Sequence, residues 1–180
     1  MRAHTMTAQD LARFAHLLPD ASWIGEVGLD FSRAGVATRR QQLEVFDTLL
    51  ADSRLGSKPT TVHSRGAEAE TVQRLADAGV RAILHWYTGP LAVADEALAA
   101  GFSFSVNPVM IASNRGRALL RRIPSERVLL ETDGPFARLD RRPARASDLS
   151  WTVERLGELW QCSGDEARDH IITNQQNLLS

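Results

Sequence analysis

The stretch Ile24-Gly25-Glu26-Val27-Gly28-Leu29-Asp30 reads as a strand end that carries two carboxylates, and three later stretches repeat its design. They are Val62-His63-Ser64-Arg65, Leu84-His85-Trp86-Tyr87-Thr88-Gly89 and Leu130-Glu131-Thr132-Asp133-Gly134-Pro135. Each closes a run of β-formers, and each is followed by a helix-like stretch. This arrangement lets Glu26, His63, His85 and Asp133 converge at one mouth of a parallel barrel. Two imidazoles and two carboxylates at one point suit a divalent metal better than any other use.

Outward from these phrases the chain alternates strand and helix. Thr7 with Asp10 reads as a capping box for a helix carrying Leu11, Phe14, Ala15 and Leu18, which Pro19 and Asp20 stop. Residues 23–30 form the first strand. Thr38 with Gln41 is a second capping box, opening a helix with Leu43, Phe46, Leu49 and Leu50 on one face. Strands follow at 60–63, 81–86, 102–106 and 127–132, with helices at 67–78, 91–100 and 115–122; Gly79 is a C-cap. Residues 137–147 form a polar, arginine-rich loop. Two helices close the chain, one marked by Leu149, Val153, Leu156 and Trp160, the other opened by Ser163 and Glu166 as a capping box. Five strand–helix alternations predict an α/β fold with right-handed crossovers, a TIM-like barrel within one domain over residues 1–180. A doubly wound sheet would also place its site at strand ends, but no G-x-G-x-x-G phosphate loop follows any strand.

Period-two alternation puts Ile24, Glu26, Gly28 and Asp30 on one face, with Gly28 leaving space beside the carboxylate. It likewise groups Ile83, His85 and Tyr87, and pairs Glu131 with Asp133. Taken singly, each residue has a plainer use. Glu26 suits a salt bridge to an inward arginine, and a lone strand-end histidine is more often a satisfied core residue. Two histidines at matching positions of consecutive βα units are harder to dismiss. A glutamate with two histidines leaves an open position for water, and Asp133 could complete the shell or take a proton from that water. Glu26 and Asp133 are therefore the catalytic candidates. Asp30 and Glu131 suit an outer shell that orients imidazoles, or simple loop and cap roles. His4, His16 and His170 read as surface residues, and Cys162 as a small apolar residue near a helix end.

Composition excludes several classes. With 180 residues and a net charge of −1, the chain has no global field favouring nucleic acid or anionic membrane. No apolar run approaches a membrane span, and no hydrophobic signal core opens the chain, which points to the cytoplasm. Cys162 is the only cysteine, which excludes a thiolate cluster, so any metal must use nitrogen and oxygen ligands. Magnesium, manganese and zinc all meet that requirement. The basic residues are arginines apart from Lys58. Arg65 and the arginines of residues 138–145 are candidates for holding phosphate oxygens, although for the loop a solvated surface is the plainer reading.

These phrases resemble the TatD family of metal-dependent hydrolases and deoxyribonucleases. The resemblance runs from about Trp23 to Leu179. It rests on the G-E-x-G-L-D phrase, the H-S-R phrase, the histidine before an aromatic-Thr-Gly, Ser105-Val106-Asn107-Pro108, Arg127 leading into L-L-E-T-D-x-P, and Asn174 in a closing N-x-x-x-L pattern. The His85-Trp86-Tyr87-Thr88-Gly89 version resembles the TatD-type nucleases of the Qat anti-phage systems. The resemblance implies a TIM-like barrel holding one to three divalent metals and assigns Glu26, His63, His85 and Asp133 as ligands. It also implies hydrolysis of phosphodiester bonds, often trimming DNA from the 3′ end. The family opens with a strand ending in His-x-His, a motif this chain lacks. The expectation is therefore a partial barrel of about five of eight strands. Such a remnant would show poor stability, or a protein partner or self-association covering the gap. Two rival readings remain beside the nuclease: an amidohydrolase-like enzyme acting on small amides or esters, and a non-catalytic truncated barrel or subunit.

Overall fold

The computed structural model describes residues 6–179, so His4 lies outside the described residues. The chain divides into two compact units, one ending at Phe102 and the other starting at Ser103. Among the described residues no helix is long and apolar enough to cross a membrane.

In the first unit, α1 (Ala8–Leu17) opens on the expected capping box: the Asp10 N–H donates to the Thr7 hydroxyl at 3.2 Å, and the Thr7 N–H donates to the Asp10 carboxylate at 2.8 Å. Three parallel strands follow, β1 (Ile24–Gly28), β2 (Thr60–His63) and β3 (Ala82–His85), with β2 between the other two. Their crossovers carry α2 (Arg39–Leu50) and α3 (Glu68–Asp77), and α4 (Leu91–Ala99) follows β3. Phe46, Leu55, Val62, Leu75 and Leu84 are buried to 1% exposure or less. Burying each such side chain contributes roughly 1.5–3 kcal/mol, which is what holds the strand ends in place.

The pleat of β1 is not regular. Ile24 pairs with Thr60 and Val27 with Val62, so three steps on β1 match two on β2. That bulge breaks the simple alternation expected through Glu26. Gly28 also has a different purpose from the one read in the sequence. Its φ is +134°, and a Cβ there would sit 2.0 Å from the His63 carbonyl oxygen. The glycine makes room for the β2 backbone, not for the carboxylate. The second capping box is absent as well. The Thr38 hydroxyl donates to the Gly35 carbonyl at 3.0 Å, and α2 begins without a side-chain cap.

In the second unit, β4 (Ser103–Val106) and β5 (Val128–Leu130) pair in parallel. Between them lie α5 (Pro108–Ala112), which the sequence reading lacked, and α6 (Asn114–Leu120). A small antiparallel hairpin, β6 (Arg138–Leu139) and β7 (Arg142–Pro143), stands in what read as an irregular loop. Two helices close the chain, α7 (Asp148–Trp160) and α8 (Gly164–Leu179), the latter opened by the expected Ser163–Glu166 box. Asn174 anchors α8: its amide donates to the Ser125 carbonyl at 2.6 Å and the Val128 carbonyl at 2.8 Å, fixing the start of β5. The five strands sit where sequence placed them, each within a few residues, and the α/β class holds in both units.

Candidate metal centre

β2 and β3 run in register, Val62 beside Leu84, so His63 and His85 are the next residues on each and end their strands together. Their ring centroids lie 6.3 Å apart. Gly28 pairs with His63, which brings the bulged Glu26 to the same place. The result is a cluster around one oxygen. Glu26 Oε1 lies 2.9 Å from His63 Nδ1 and 3.9 Å from His85 Nε2. The arginine salt bridge considered for Glu26 is thus replaced by two imidazoles.

The other nitrogen of His63 faces a second carboxylate, with Nε2 3.3 Å from Asp30 Oδ2. A carboxylate so placed can orient the imidazole ring. The Ser32 N–H also donates to Asp30 at 2.8 Å. Burial pushes the Asp30 carboxyl up, but the hydrogen bonds from Ser32 and the charge and hydrogen bond of His63 outweigh it, and the net shift is downward. The Glu26 carboxyl is also lowered, first by the hydrogen bond from His63 and against the opposing effect of burial. His63 is raised above the ordinary imidazole value, led by its hydrogen bond to Glu26, with Asp30 adding to it and burial opposing. Two carboxylates around one ring thus favour its charged form, and a cation would occupy the same place.

Among the described residues, Glu26, His63 and His85 form the one group whose donor atoms all lie within 4.8 Å of one another. Donors each about 2.1 Å from a shared ion sit at most roughly 4.2 Å apart. Both distances from Glu26 Oε1 fall inside that span, and one hard carboxylate with two borderline imidazoles suits magnesium, manganese or zinc. The His85 side chain is 10% exposed while Glu26 is 42% exposed, so the cluster is backed by protein and open to solvent on the carboxylate side. That is the shape of a site that keeps a position for water or substrate.

A residue the sequence reading missed holds this arrangement from behind. Gln42 is buried on α2. Its amide oxygen accepts the Asp30 N–H at 2.7 Å, and its amide nitrogen donates to the carbonyls of Asp30 and Gly35, each at 2.9 Å, and to the Thr38 hydroxyl at 3.0 Å. The turn that carries Asp30 is therefore fixed by one side chain. The available signal was a polar residue in step with Phe46 and Leu49 on the apolar face.

The other candidates have the following local surroundings. Arg65 is exposed, and its carbonyl accepts the Phe31 N–H at 2.8 Å. β3 ends at His85 and Trp86 takes φ +37°, so Tyr87 leaves the strand's alternation. Tyr87 is 1% exposed and donates to the Pro90 carbonyl at 2.8 Å. Its aromatic-Thr-Gly phrase is a packed corner. In the second unit the Glu131 carboxylate accepts hydrogen bonds from the Ser105 hydroxyl and, at 3.3 Å, from the Asn107 amide. Asp133 lies beyond the end of β5 with φ +48°, so alternation does not pair it with Glu131. Its carbonyl accepts the Ala137 N–H at 2.7 Å. His16 and His170 are exposed, and Cys162 is half-buried.

Carboxylate and imidazole donors gathered where parallel strands end suit a divalent metal. Residues 2–180 match the family described as TatD related DNase, and the chain belongs to that family. It is 37% identical over 161 residues to human deoxyribonuclease TATDN3, covering 87% of this chain and 58% of that protein. It is 38% identical over 119 residues to the 3′-5′ ssDNA/RNA exonuclease TatD of Dickeya dadantii, covering 63% of this chain and 45% of that protein. The chain thus spans about half the length of these relatives. Among solved structures, the TatD homolog YJJV of Escherichia coli superposes with a TM-score of 0.84 at 21% identity, covering 97% of this chain and 71% of that one. That likeness is one of fold, and it agrees with the TIM-like reading of the sequence.

Proposed function

We propose that this chain is a metal-dependent deoxyribonuclease that hydrolyses phosphodiester bonds of single-stranded DNA, with Glu26, His63 and His85 holding a divalent ion. The observation that carries the reading is the convergence of those three donors in a chain of the TatD related DNase family. A divalent ion held there supplies Lewis acidity, making a water more acidic and offsetting charge on the phosphoryl oxygens. The residues do the rest. Asp30 holds one nitrogen of His63, so the ring presents the other toward Glu26. The solvent-open side at Glu26 admits a phosphate. Asp133 takes the proton of the attacking water, a role that rests on its place in the L-L-E-T-D-x-P phrase. Arg65, exposed after β2, neutralises a non-bridging phosphate oxygen. The Dickeya relative's name supports trimming from the 3′ end.

The test is a substrate panel with manganese present: single-stranded DNA, a small phosphodiester, a carboxylic ester and an amide. The reading predicts turnover of the phosphodiesters, lost in Asp133→Asn. Turnover of the ester or amide alone would assign the chain to amidohydrolase-like chemistry. No turnover of any substrate by a folded, metal-loaded chain would leave a non-catalytic subunit.

A further inference from the structure

Residues 136–148 present an exposed aromatic ring and four arginines against two aspartates, in a chain whose net charge is −1. Phe136 is 79% exposed, which leaves the face of its ring open to a planar ligand. The exposure is imposed by the backbone on either side. The Ala137 N–H donates to the Asp133 carbonyl at 2.7 Å, and the Ala144 N–H donates to the Ala137 carbonyl at 2.8 Å. Gly134 passes so close to Ala144 that a Cβ there would sit 2.1 Å from the Ala144 carbonyl oxygen. Ala137 is fully buried, so Phe136 stands out from a clamped strand of backbone.

The hairpin that follows shows a second anomaly. Leu139 pairs with Arg142, leaving Asp140 and Arg141 as a two-residue turn with φ of +48° and +65°. Both values are positive, as in a type I′ turn, whose second position favours glycine. An arginine there carries backbone strain that a glycine would not. Arg142 is committed to Asp148 at 2.6 and 2.8 Å, and Arg138 donates to the Arg141 carbonyl at 2.5 Å. Arg141 and Arg145 are exposed. A solvated loop accounts for arginines in general. It does not account for a clamped, protruding phenyl ring or for arginine at a glycine-type turn.

We propose that Phe136, Arg141 and Arg145 form a binding edge for single-stranded DNA, with the Phe136 ring stacking on one base and the two guanidinium groups holding neighbouring phosphates. The proposal rests on the nuclease reading above. Charge complementarity selects a polyanion, and a single protruding ring selects unpaired bases, because a duplex hides base faces except at its ends.

The test is fluorescence anisotropy with a labelled oligothymidylate in EDTA, where binding is read without cleavage. Phe136→Ala should weaken binding by about five- to hundredfold, while Phe136→Tyr retains it and Phe136→Leu does not. Arg141→Gly should lower the slope of log affinity against log salt by about 0.7, with a melting temperature equal to or above that of the parent. Unchanged binding by Phe136→Ala, equal loss on blunt duplex, or a change only in self-association would overturn the proposal. The nuclease rate of the parent, measured separately with manganese, keeps the two readings apart. Binding without cleavage defeats the nuclease reading alone, and cleavage with indifferent Phe136 variants defeats the binding edge alone.

Discussion

Replacing Gln42 by leucine tests whether the metal centre is positioned from behind. Leucine keeps the apolar bulk on α2 but removes the acceptor for the Asp30 N–H and the donor to the carbonyls of Asp30 and Gly35. An unmatched buried donor costs about 1–3 kcal/mol. Asp30 and Gly35 are only half-buried, so water recovers part of the loss at the carbonyls. The sum comes to about 2–4 kcal/mol of stability. In a chain of 180 residues each kcal/mol moves the melting temperature by roughly 2–4 °C, so a drop of roughly 4–16 °C is expected. A stability loss alone would fit any buried glutamine. The distinguishing readout is His63, followed by NMR in EDTA. A loosened Asp30 should lower the His63 pKa toward 6.5, its unperturbed value. Metal affinity should fall by about tenfold, the low end for residues that orient ligands. A Gln42→Leu protein that melts within 2 °C or so of the parent, with His63 titrating unchanged, would refute the reasoning.

Three further outcomes follow from the same contacts. Gly28→Ala drives a Cβ into the His63 carbonyl at a left-handed φ and should cost roughly 3 kcal/mol or more, read as a lower urea midpoint. Glu26→Gln removes the leading cause of the raised His63 value, so in EDTA the His63 NMR titration should move down in pH; an upward or absent shift would contradict the assigned contact. Arg142 and the Arg145 N–H hold Asp148 at about 2, below its ordinary 3.8. Its stabilising effect is therefore complete above pH 3.8 and is lost as pH falls through that interval, so Asp148→Asn should be less stable than the parent at neutral pH and flatter between pH 4 and 2, checked by denaturation at each pH.

The strands were legible because each lies between punctuating residues. Pro59 precedes Thr60, and β2 spans the four residues expected, Thr60–His63. Glu26, His63 and His85 were legible for the same reason, being acid or imidazole groups where apolar runs stop. What alternation could not convey was the bulge at Glu26, which depends on how β1 meets β2 and on the close approach at Gly28. Gln42 was hidden because a helical glutamine reads as solvated unless the turn it binds is known. The hairpin after Phe136 lacks the glycine that normally signals such a turn, so its arginines read as an open loop. α5 is five residues long and owes its start to Asn107, whose side chain accepts the N–H groups of Val109 and Met110. A helix that short leaves no periodicity to read.

The central claim is that Glu26, His63 and His85 hold the divalent ion on which hydrolysis depends. Its most direct test follows an end-labelled single-stranded oligonucleotide with manganese, for the parent, Glu26→Gln and His85→Ala, alongside manganese binding by each. The account predicts trimming by the parent that EDTA abolishes, with both variants folded, at least tenfold or so weaker for manganese, and correspondingly inactive. Variants that lose neither manganese affinity nor trimming would contradict it.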